Sequence, residues 1–266
     1  MSELITSRQN LRVKEAAKLR TARQRAKQNR FLIDGARETG RAVDAGIEIV
    51  EAFVCESLCT SAAARRLAPR LPAANLARVS SEVFEKLCFG QRHDGVVAVA
   101  KTPQRSLDQL ALPSRPLVAV LEGLEKPGNV GAIMRTADGA GIDAVIVVSG
   151  GTDLFNPNTI RASLGTVFAK NICAATLPDT LAKLRAWQLP IIATRPKAEQ
   201  LYSAIDYSLG AAIVLGSEAD GLSADWQQED VREVRLPMQG MADSLNVSAT
   251  AAILFYEAER QRANLR

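Results

Sequence analysis

The sequence predicts an α/β protein that is built from two units. Two observations lead to this fold class: short apolar runs rich in β-branched residues alternate with helical segments, and a stretch with several prolines divides the chain. Composition agrees with a globular protein, because 47% of the 266 residues are hydrophobic and 23% are charged. The predicted division has four parts: a basic helical arm (1–29), a small α/β unit (30–101), a linker (102–116) and a larger α/β unit (117–266).

The arm and the small unit alternate helix and strand. A thin stripe that includes Leu11, Ala16 and Leu19 predicts one helix over residues 10–29. Because the following apolar runs are short and β-branched, we expect parallel strands that are covered on both faces. The predicted strands of this unit are 31–33, 47–55, 77–79 and 95–100, and its predicted helices are 35–45, 61–68 and 81–87.

The larger unit carries six apolar runs that predict a mostly parallel sheet with helices on both faces. The predicted strands are 117–121, 144–148, 172–174, 191–194, 212–215 and 233–236. The predicted helices are 130–140, 159–164 and 244–262.

Glycine- and proline-bearing loops follow four of these strands. Their sequences are GLEKPGNVGA, TRPKAEQ, GSEADGLS and PMQGMADSLNVS, after the first, fourth, fifth and sixth strand. Because the carboxyl ends of parallel strands meet at one edge of a sheet, and ligands bind there, the pattern predicts a site at this edge.

Charge is concentrated at the start of the chain. Residues 1–30 hold nine Lys and Arg against two Glu, so this segment is +7, whereas the whole chain is +4 and the remainder is therefore −3. Such a segment predicts contacts with RNA or DNA phosphates, although a solvated helix with a basic face remains the alternative. The candidate RNA-binding residues here are Arg8, Arg12, Lys14 and Arg23.

Cysteine and histidine content favours no metal site. Cys55 and Cys59 stand four residues apart, Cys88 and Cys173 stand alone, and reduced buried thiols are the expectation. The single His93 precedes Asp94-Gly95 and is expected in a solvated turn. The longest stretch without charge, residues 244–256, has 13 residues and falls short of the roughly 18 that cross a bilayer. We therefore expect a soluble cytoplasmic protein.

Several common sites are absent from the loops. No loop has the phosphate-binding pattern of an NTPase or the glycine-rich turn of a Rossmann fold. No nucleophile elbow is present, and the only histidine precedes the whole larger unit, so a Ser-His-Asp hydrolase would lack its base. The remaining Asn, Ser, Glu and Arg side chains suit a polar organic cofactor and a substrate that carries phosphate.

Three motifs resemble the SpoU/TrmH branch of the SPOUT RNA methyltransferases. NVGAIMRTA at 129–137 resembles the first motif, LGSE at 215–218 with Gly221 the second, and LPM at 236–238 followed by SLNVS at 244–248 the third. Asn158 and the RAS-x-G segment at 161–165 match as well, and residues 31–46 resemble the start of a small substrate-binding domain. The departures, Met241-Ala242-Asp243 and Thr166, disturb no catalytic position of the family pattern.

The resemblance implies a parallel sheet whose C-terminal segment forms a trefoil knot, an exception to the usual rule against threading. It also implies S-adenosylmethionine (AdoMet) as cofactor, a homodimer and methyl transfer to a ribose 2′-hydroxyl of RNA. The extra N-terminal domain favours ribosomal (23S) RNA over tRNA as substrate. A non-catalytic RNA-binding or assembly module of the same fold is the alternative.

The same motifs imply the site residues. The catalytic set is Asn129, Arg135, Glu218, Ser244 and Asn246. The cofactor-binding set is Thr194, Gly216, Leu236, Met238 and Leu245, and Arg161 joins the RNA-binding candidates. The family pattern leaves two roles open for Arg135: a base, or a group that holds phosphate and stabilises an alkoxide. The second role is chemically easier, because a guanidinium rarely gives up its proton.

Each of these residues also has a structural alternative. Arg135 could be a surface salt-bridge partner, and Asn129, which follows Pro127-Gly128, could be a turn residue. Glu218 could stabilise a helix dipole, and Ser244 is a plausible N-cap of the last helix. Gly216 is expected to let the backbone approach a ligand closely, because it has no Cβ.

Overall fold

The computed structural model describes residues 4–89, 94–148 and 153–263. The chain divides into two compact units: unit 1 comprises Met1–Gln104 and Asp153–Phe168, and unit 2 comprises Arg105–Thr152 and Ala169–Arg266. No helix in the described ranges is long and apolar enough to span a bilayer.

Helices and strands alternate along the chain. The helices of the described residues are α1 (Leu11–Lys18), α2 (Ala22–Gln28), α3 (Ala36–Asp44), α4 (Ala62–Leu67), α5 (Ser81–Leu87), α6 (Pro127–Gly139), α7 (Pro157–Ala162), α8 (Leu177–Ala186) and α9 (Val247–Ala263). The strands are β1 (Arg30–Asp34), β2 (Ile49–Val54), β3 (Leu76–Arg78), β4 (Val96–Lys101), β5 (Leu117–Glu122), β6 (Ala144–Val148), β7 (Ile172–Ala175), β8 (Ile191–Thr194), β9 (Gln200–Leu201), β10 (Ala211–Leu215) and β11 (Val231–Arg235).

Unit 1 contains a mixed sheet of the order β1-β4-β2-β3. The central strand β4 runs antiparallel to both β1 and β2, and only β2 and β3 are parallel. The expectation of parallel strands in this unit is therefore wrong. The apolar run of β4 reflects its central position, where both faces are covered, and burial of this kind does not determine strand direction.

The basic segment before β1 forms two helices, so the single helix expected over residues 10–29 is also wrong. The chain turns between α1 and α2, and the buried side chain of Arg25 donates to the carbonyl oxygens of Leu19 (2.9 Å) and Arg20 (2.8 Å). A second interaction fixes Arg25, because its Nε lies 2.5 Å from Oδ2 of Asp153. Val13 and Leu19 are buried in the same core as Phe84, so the segment is part of the packed unit.

The segment Asp153–Phe168, which follows β6 in the chain, packs in unit 1. The ring of Phe31 on β1 stacks with Phe155 at 4.5 Å and with Phe168 at 6.0 Å between centroids. Arg41 on α3 donates to the carbonyl of Leu164 at 2.9 Å. Gly165 adopts a φ of +87°, and a Cβ there would meet the Arg41 side chain at 3.3 Å. The RAS-x-G segment is therefore held by contacts with α3.

Unit 2 contains a seven-stranded sheet of the order β7-β6-β5-β10-β8-β11-β9, with every adjacent pair parallel. The six predicted strands are present, and β9 is an additional edge strand of two residues, too short to show a periodic pattern. Apolar residues of the linker, among them Leu107 and Leu110, pack against the core of this sheet. The trefoil knot remains a prediction.

Candidate active site

A cavity of about 700 Å³ lies at the carboxyl edge of the sheet in unit 2. Its walls come from the loops after β8, β10 and β11 and from the start of α9. These three loops are among the four that the sequence pattern singled out. All five residues expected to bind a cofactor line this one cavity: Thr194, Gly216, Leu236, Met238 and Leu245.

The loop after β10 is shaped by its own backbone. Ser217 and Gly221 exchange two backbone hydrogen bonds of 3.1 Å, and Gly221 has a φ of +69°. A Cβ on Gly216 would lie 2.4 Å from the carbonyl carbon and oxygen of Gly221. The structure therefore requires glycine at position 216 for the closure of this loop, whereas from the sequence the close approach of a ligand was the expected reason.

The loop after β8 is tied to its neighbours by Thr194 and Arg195. The Thr194 hydroxyl donates to the carbonyl of Val214 on β10 at 2.9 Å. Arg195 donates to the carbonyls of Leu222 (3.1 Å) and Ser223 (2.7 Å). Sequence reasoning missed Arg195, although its place directly after a strand, in a loop already singled out, was the available signal.

Glu218 is the centre of a polar network beside this cavity. Its Oε1 accepts hydrogen bonds from the side-chain amides of Asn129 (2.9 Å) and Asn246, and Lys126 forms an ion pair with its Oε2. The hydrogen bond and charge of Lys126, followed by the bond from Asn129, hold the pKa of Glu218 below its usual range. The structure thus brings together three of the five expected catalytic residues.

Lys126 is the member of this network that sequence reasoning missed. It lies three residues before Asn129 in the GLEKPGNVGA loop, so its position after a strand was again the available signal. Its partner Glu218 is 92 residues away in the chain.

Asn246 caps helix α9. Its Oδ1 accepts from the backbone N–H (2.9 Å) and the hydroxyl (2.6 Å) of Ser248, and its carbonyl accepts from the N–H groups of Ala249 and Thr250. The structural alternative for Ser244, an N-cap of this helix, is therefore wrong, and α9 begins at Val247. Ser244 instead lies exposed among the residues that line the cavity.

Arg135 lies apart from this network. It is exposed on α6 and forms no hydrogen bond or ion pair with any residue that the structure describes. Its six-residue spacing from Asn129 places the two side chains about 120° apart around the helix axis. The salt-bridge reading of Arg135 therefore has no support within the described residues.

The five expected RNA-binding residues fall into two groups. Arg8 donates to the carbonyl of Glu82 at 2.8 Å, Arg12 forms an ion pair with Glu51, and Arg161 donates to the carbonyl of Phe89 at 2.5 Å. Lys14 and Arg23 are exposed, and neither has a side-chain partner among the residues with described positions. Lys27 and Arg30 are likewise exposed and without a side-chain partner in the described ranges.

The four cysteines are free thiols, and three of them are buried. Burial raises the pKa of the Cys173 thiol to about 11. Across the described ranges, no group of three His, Cys, Asp or Glu side chains could hold a metal ion. His93 lies outside the described residues.

Comparisons with known proteins agree with this architecture along nearly the whole chain. The 23S rRNA (guanosine(2553)-2'-O)-methyltransferase RlmP of Bacillus subtilis (strain 168) is 30% identical over 95% of this chain and 97% of its own length. A crystal structure described as an RNA 2'-O ribose methyltransferase is 44% identical, with a TM-score of 0.86 and coverage of 98% of this chain and 100% of that chain.

The SpoU methyltransferase AviRb from Streptomyces viridochromogenes, crystallised with AdoMet, is 26% identical, with a TM-score of 0.85 over 96% of this chain and 99% of that chain. The MRM3-like substrate binding domain matches residues 10–98. The SpoU rRNA Methylase family matches residues 116–256, which is more than half of the chain. The resemblance in the sequence motifs is therefore confirmed: the chain belongs to the SpoU rRNA Methylase family.

Proposed function

We propose that this protein transfers the methyl group of AdoMet to a ribose 2′-hydroxyl of structured RNA, and that the RNA is 23S rRNA. The observation that carries the proposal is the single cavity that all five expected cofactor residues line, beside the Glu218 network. The relatives named as 23S rRNA 2'-O-methyltransferases support the substrate and favour rRNA over tRNA.

The cavity fits AdoMet in size and chemistry. Its volume of about 700 Å³ lies within the range of small-molecule sites. Apolar walls such as Leu215 and Leu236 suit an adenine ring, and the Ser244 hydroxyl and the loop backbone offer polar contacts. In our proposal Thr194, Gly216, Leu236, Met238 and Leu245 hold the cofactor, which supplies an electrophilic methyl group when bound.

Arg135 is proposed to act on the RNA. Methyl transfer would form an O–C bond on the ribose as the S–C bond of the cofactor breaks, and the 2′-hydroxyl would pass its proton to water, so negative charge develops on the ribose oxygen. A guanidinium with no partner among the described residues is available to hold a neighbouring phosphate and to stabilise that charge, in the manner of an oxyanion hole. Retention of its proton favours this electrostatic role over that of a base.

The Glu218 network is proposed to orient the ribose. Glu218 fixes the amide groups of Asn129 and Asn246, so their orientation is set before the substrate arrives. Lys126 keeps the carboxylate ionised and therefore able to accept both amide hydrogen bonds. Ser244, exposed at the cavity, completes the proposed catalytic set.

Unit 1 is proposed to bind RNA through its basic residues. Lys14 and Arg23 can bind phosphate directly, as can Lys27 and Arg30, because their charges are exposed and unpaired in the described structure. The other proposed contacts, Arg8, Arg12 and Arg161, would have to release protein partners first.

The quaternary and cellular context is also a proposal. We propose a homodimer, which the exposed Ile253 and Tyr256 on α9 support as an uncovered apolar surface. Light scattering behind size exclusion tests it, and a Tyr256→Glu variant should shift the mass toward one chain. The division at residues 29, 101 and 116 and a cytoplasmic location, where the relatives' named rRNA substrates would be met, belong to the same proposal.

The activity test uses methyl-labelled AdoMet and deproteinised 23S rRNA, with tRNA in parallel. Alkaline cleavage of RNA needs a free 2′-hydroxyl, so the expected product is a labelled dinucleotide that resists alkali. Label recovered only in base-methylated mononucleotides would contradict ribose methylation. Label transferred only to tRNA would contradict the rRNA substrate. Absence of heat in a calorimetric titration with AdoMet would instead favour the non-catalytic RNA-binding module.

A further inference from the structure

Glu122 is a buried carboxylate that the proposed chemistry does not use. It is the last residue of β5, and 6% of its surface is exposed. Its oxygens accept from the backbone N–H of Ser223 (2.9 Å), the Ser223 hydroxyl (2.8 Å) and the indole Nε1–H of Trp226 (3.1 Å). Glu122 has no ion pair with any residue in the described ranges.

Because Glu122 is buried without a cation, its carboxylate depends on hydrogen-bond donors for stabilisation. A buried charge is tolerated only where hydrogen bonds satisfy it, and here the donors come from two residues of the segment after β10. Trp226 is fully buried, so this segment is anchored on the core side as well. The strand end of β5 therefore determines where the segment 223–226 lies.

A second side chain, which is partly buried, holds the same segment from the loop after β8. Arg195 donates to the carbonyls of Leu222 (3.1 Å) and Ser223 (2.7 Å). Ser223 is thus held at its N–H and hydroxyl by Glu122 and at its carbonyl by Arg195. Its neighbour Leu222 lines the cavity, whereas Glu122 does not.

We propose that Glu122 is a positioning residue that holds the loop after β10 in the shape that binds AdoMet. It acts through Ser223 and Trp226 on Leu222 and on the closed turn at Gly216–Gly221. The assignment deepens the proposed function and rests on it, because it concerns the affinity of the same cavity for the same cofactor.

The test compares Glu122→Ala with Glu122→Gln by calorimetric titration with AdoMet. Alanine leaves the Ser223 N–H and the Trp226 indole without an acceptor, so we expect the Kd to rise at least about tenfold. Glutamine can accept both N–H bonds with its oxygen and donate to the Ser223 hydroxyl, so we expect its Kd within about threefold of wild type. Turnover should show the Glu122→Ala effect mainly in the KM for AdoMet.

Asn171→Ala is the matched structural control. Asn171 makes three hydrogen bonds, to both backbone groups of Ala111 and to the carbonyl of Asp143, at the opposite, amino edge of the same sheet. Its loss should lower thermal stability as Glu122→Ala does, yet leave the Kd for AdoMet unchanged. An equal rise in Kd for both variants would mean general destabilisation and would overturn the assignment.

Ser223→Ala keeps the test decisive should Glu122→Ala fail to fold. It removes one of the three bonds, and we expect a Kd about threefold to fivefold above wild type. A wild-type Kd in Ser223→Ala or in folded Glu122→Ala would overturn the positioning role alone. Failure of the wild-type protein to bind AdoMet would overturn the proposed function, and the positioning role with it.

Discussion

Polar side chains have different tasks at the cavity of unit 2 and in the basic segment of unit 1. At the cavity, Lys126 and Asn129 from one segment and Asn246 from another converge on one carboxylate, Glu218. In the basic segment, much of the charge is used within the protein, as in the ion pair of the buried Arg25 with Asp153. The difference teaches that charge density alone overstates how many side chains are available to an external partner.

The basic segment itself contains both kinds of arginine. Arg25 is 4% exposed and donates to a carboxylate and to two carbonyls, whereas Arg23, two residues earlier on α2, is exposed and has no partner among described residues. Arg20 is engaged within the protein as Arg25 is, because it donates to the carbonyl of Cys88 and lies 4.8 Å from the centre of the Phe89 ring.

The largest expected effect comes from replacing Arg25 and Arg23 by alanine one at a time. Arg25→Ala leaves the half-buried Asp153 and two carbonyls without their donor, so we expect a loss of about 2–4 kcal/mol in the free energy of unfolding. Arg23→Ala should change it by less than about 0.5 kcal/mol. Urea unfolding of both variants measures this contrast, and equal destabilisation would contradict the division between structural and free charges.

The next effect concerns Arg135, a guanidinium of unit 2 that has no partner among the described residues. Arg135→Ala should lower methylation at least about a hundredfold, because a preorganised charge-stabilising group is lost. AdoMet affinity and thermal stability should match wild type, since Arg135 contacts neither the cavity nor a described partner.

Arg135→Lys sharpens this prediction. Lysine keeps the charge but loses the planar fork of the guanidinium. Substantial methylation by the lysine variant, with none by alanine, would favour the electrostatic role. Inactivity of both would favour a requirement for the guanidinium itself, and activity of both would exclude Arg135 from catalysis.

A smaller effect is expected from the free charges of unit 1. Replacing Lys14, Arg23, Lys27 and Arg30 by Gln should reduce the slope of log K against log salt for RNA binding by up to about 3 to 4, since each phosphate contact releases a counterion. These substitutions remove charge and leave the core intact, whereas deletion of residues 1–28 would also remove the core residues Val13, Ala16 and Leu19. Neutralising Arg8 and Arg12, which have protein partners, serves as the comparison and should change the slope less per charge.

The smallest effect is a shift in the acid limb of the pH profile. Because Lys126 lowers the pKa of Glu218, the ionised network is complete at neutral pH and is lost only as the pH falls through that depressed pKa. Lys126→Met should raise this pKa and move the acid limb of kcat/KM to higher pH. Lys170→Met, an exposed lysine before β7, is the control, and an equal shift in that variant would remove Glu218 as the cause.

Much of unit 2 could be predicted from the sequence because its signals are local. Most strands are continuous apolar runs, and each site loop follows a strand, so the carboxyl edge could be predicted from the sequence. Unit 1 was harder, because the run of β4 carries no information on direction and the break between α1 and α2 depends on a distant partner, Asp153.

The sequence by itself determined the fold class, the edge of the sheet that carries the cavity and the family motifs that meet there. Only the tertiary structure decided which side chains are free and which are engaged. The reason is distance along the chain: Lys126 meets Glu218 across 92 residues, Glu122 meets Ser223 across 101 and Arg25 meets Asp153 across 128. Hydrogen bonds of this kind depend on how the chain folds, and local periodicity cannot show them.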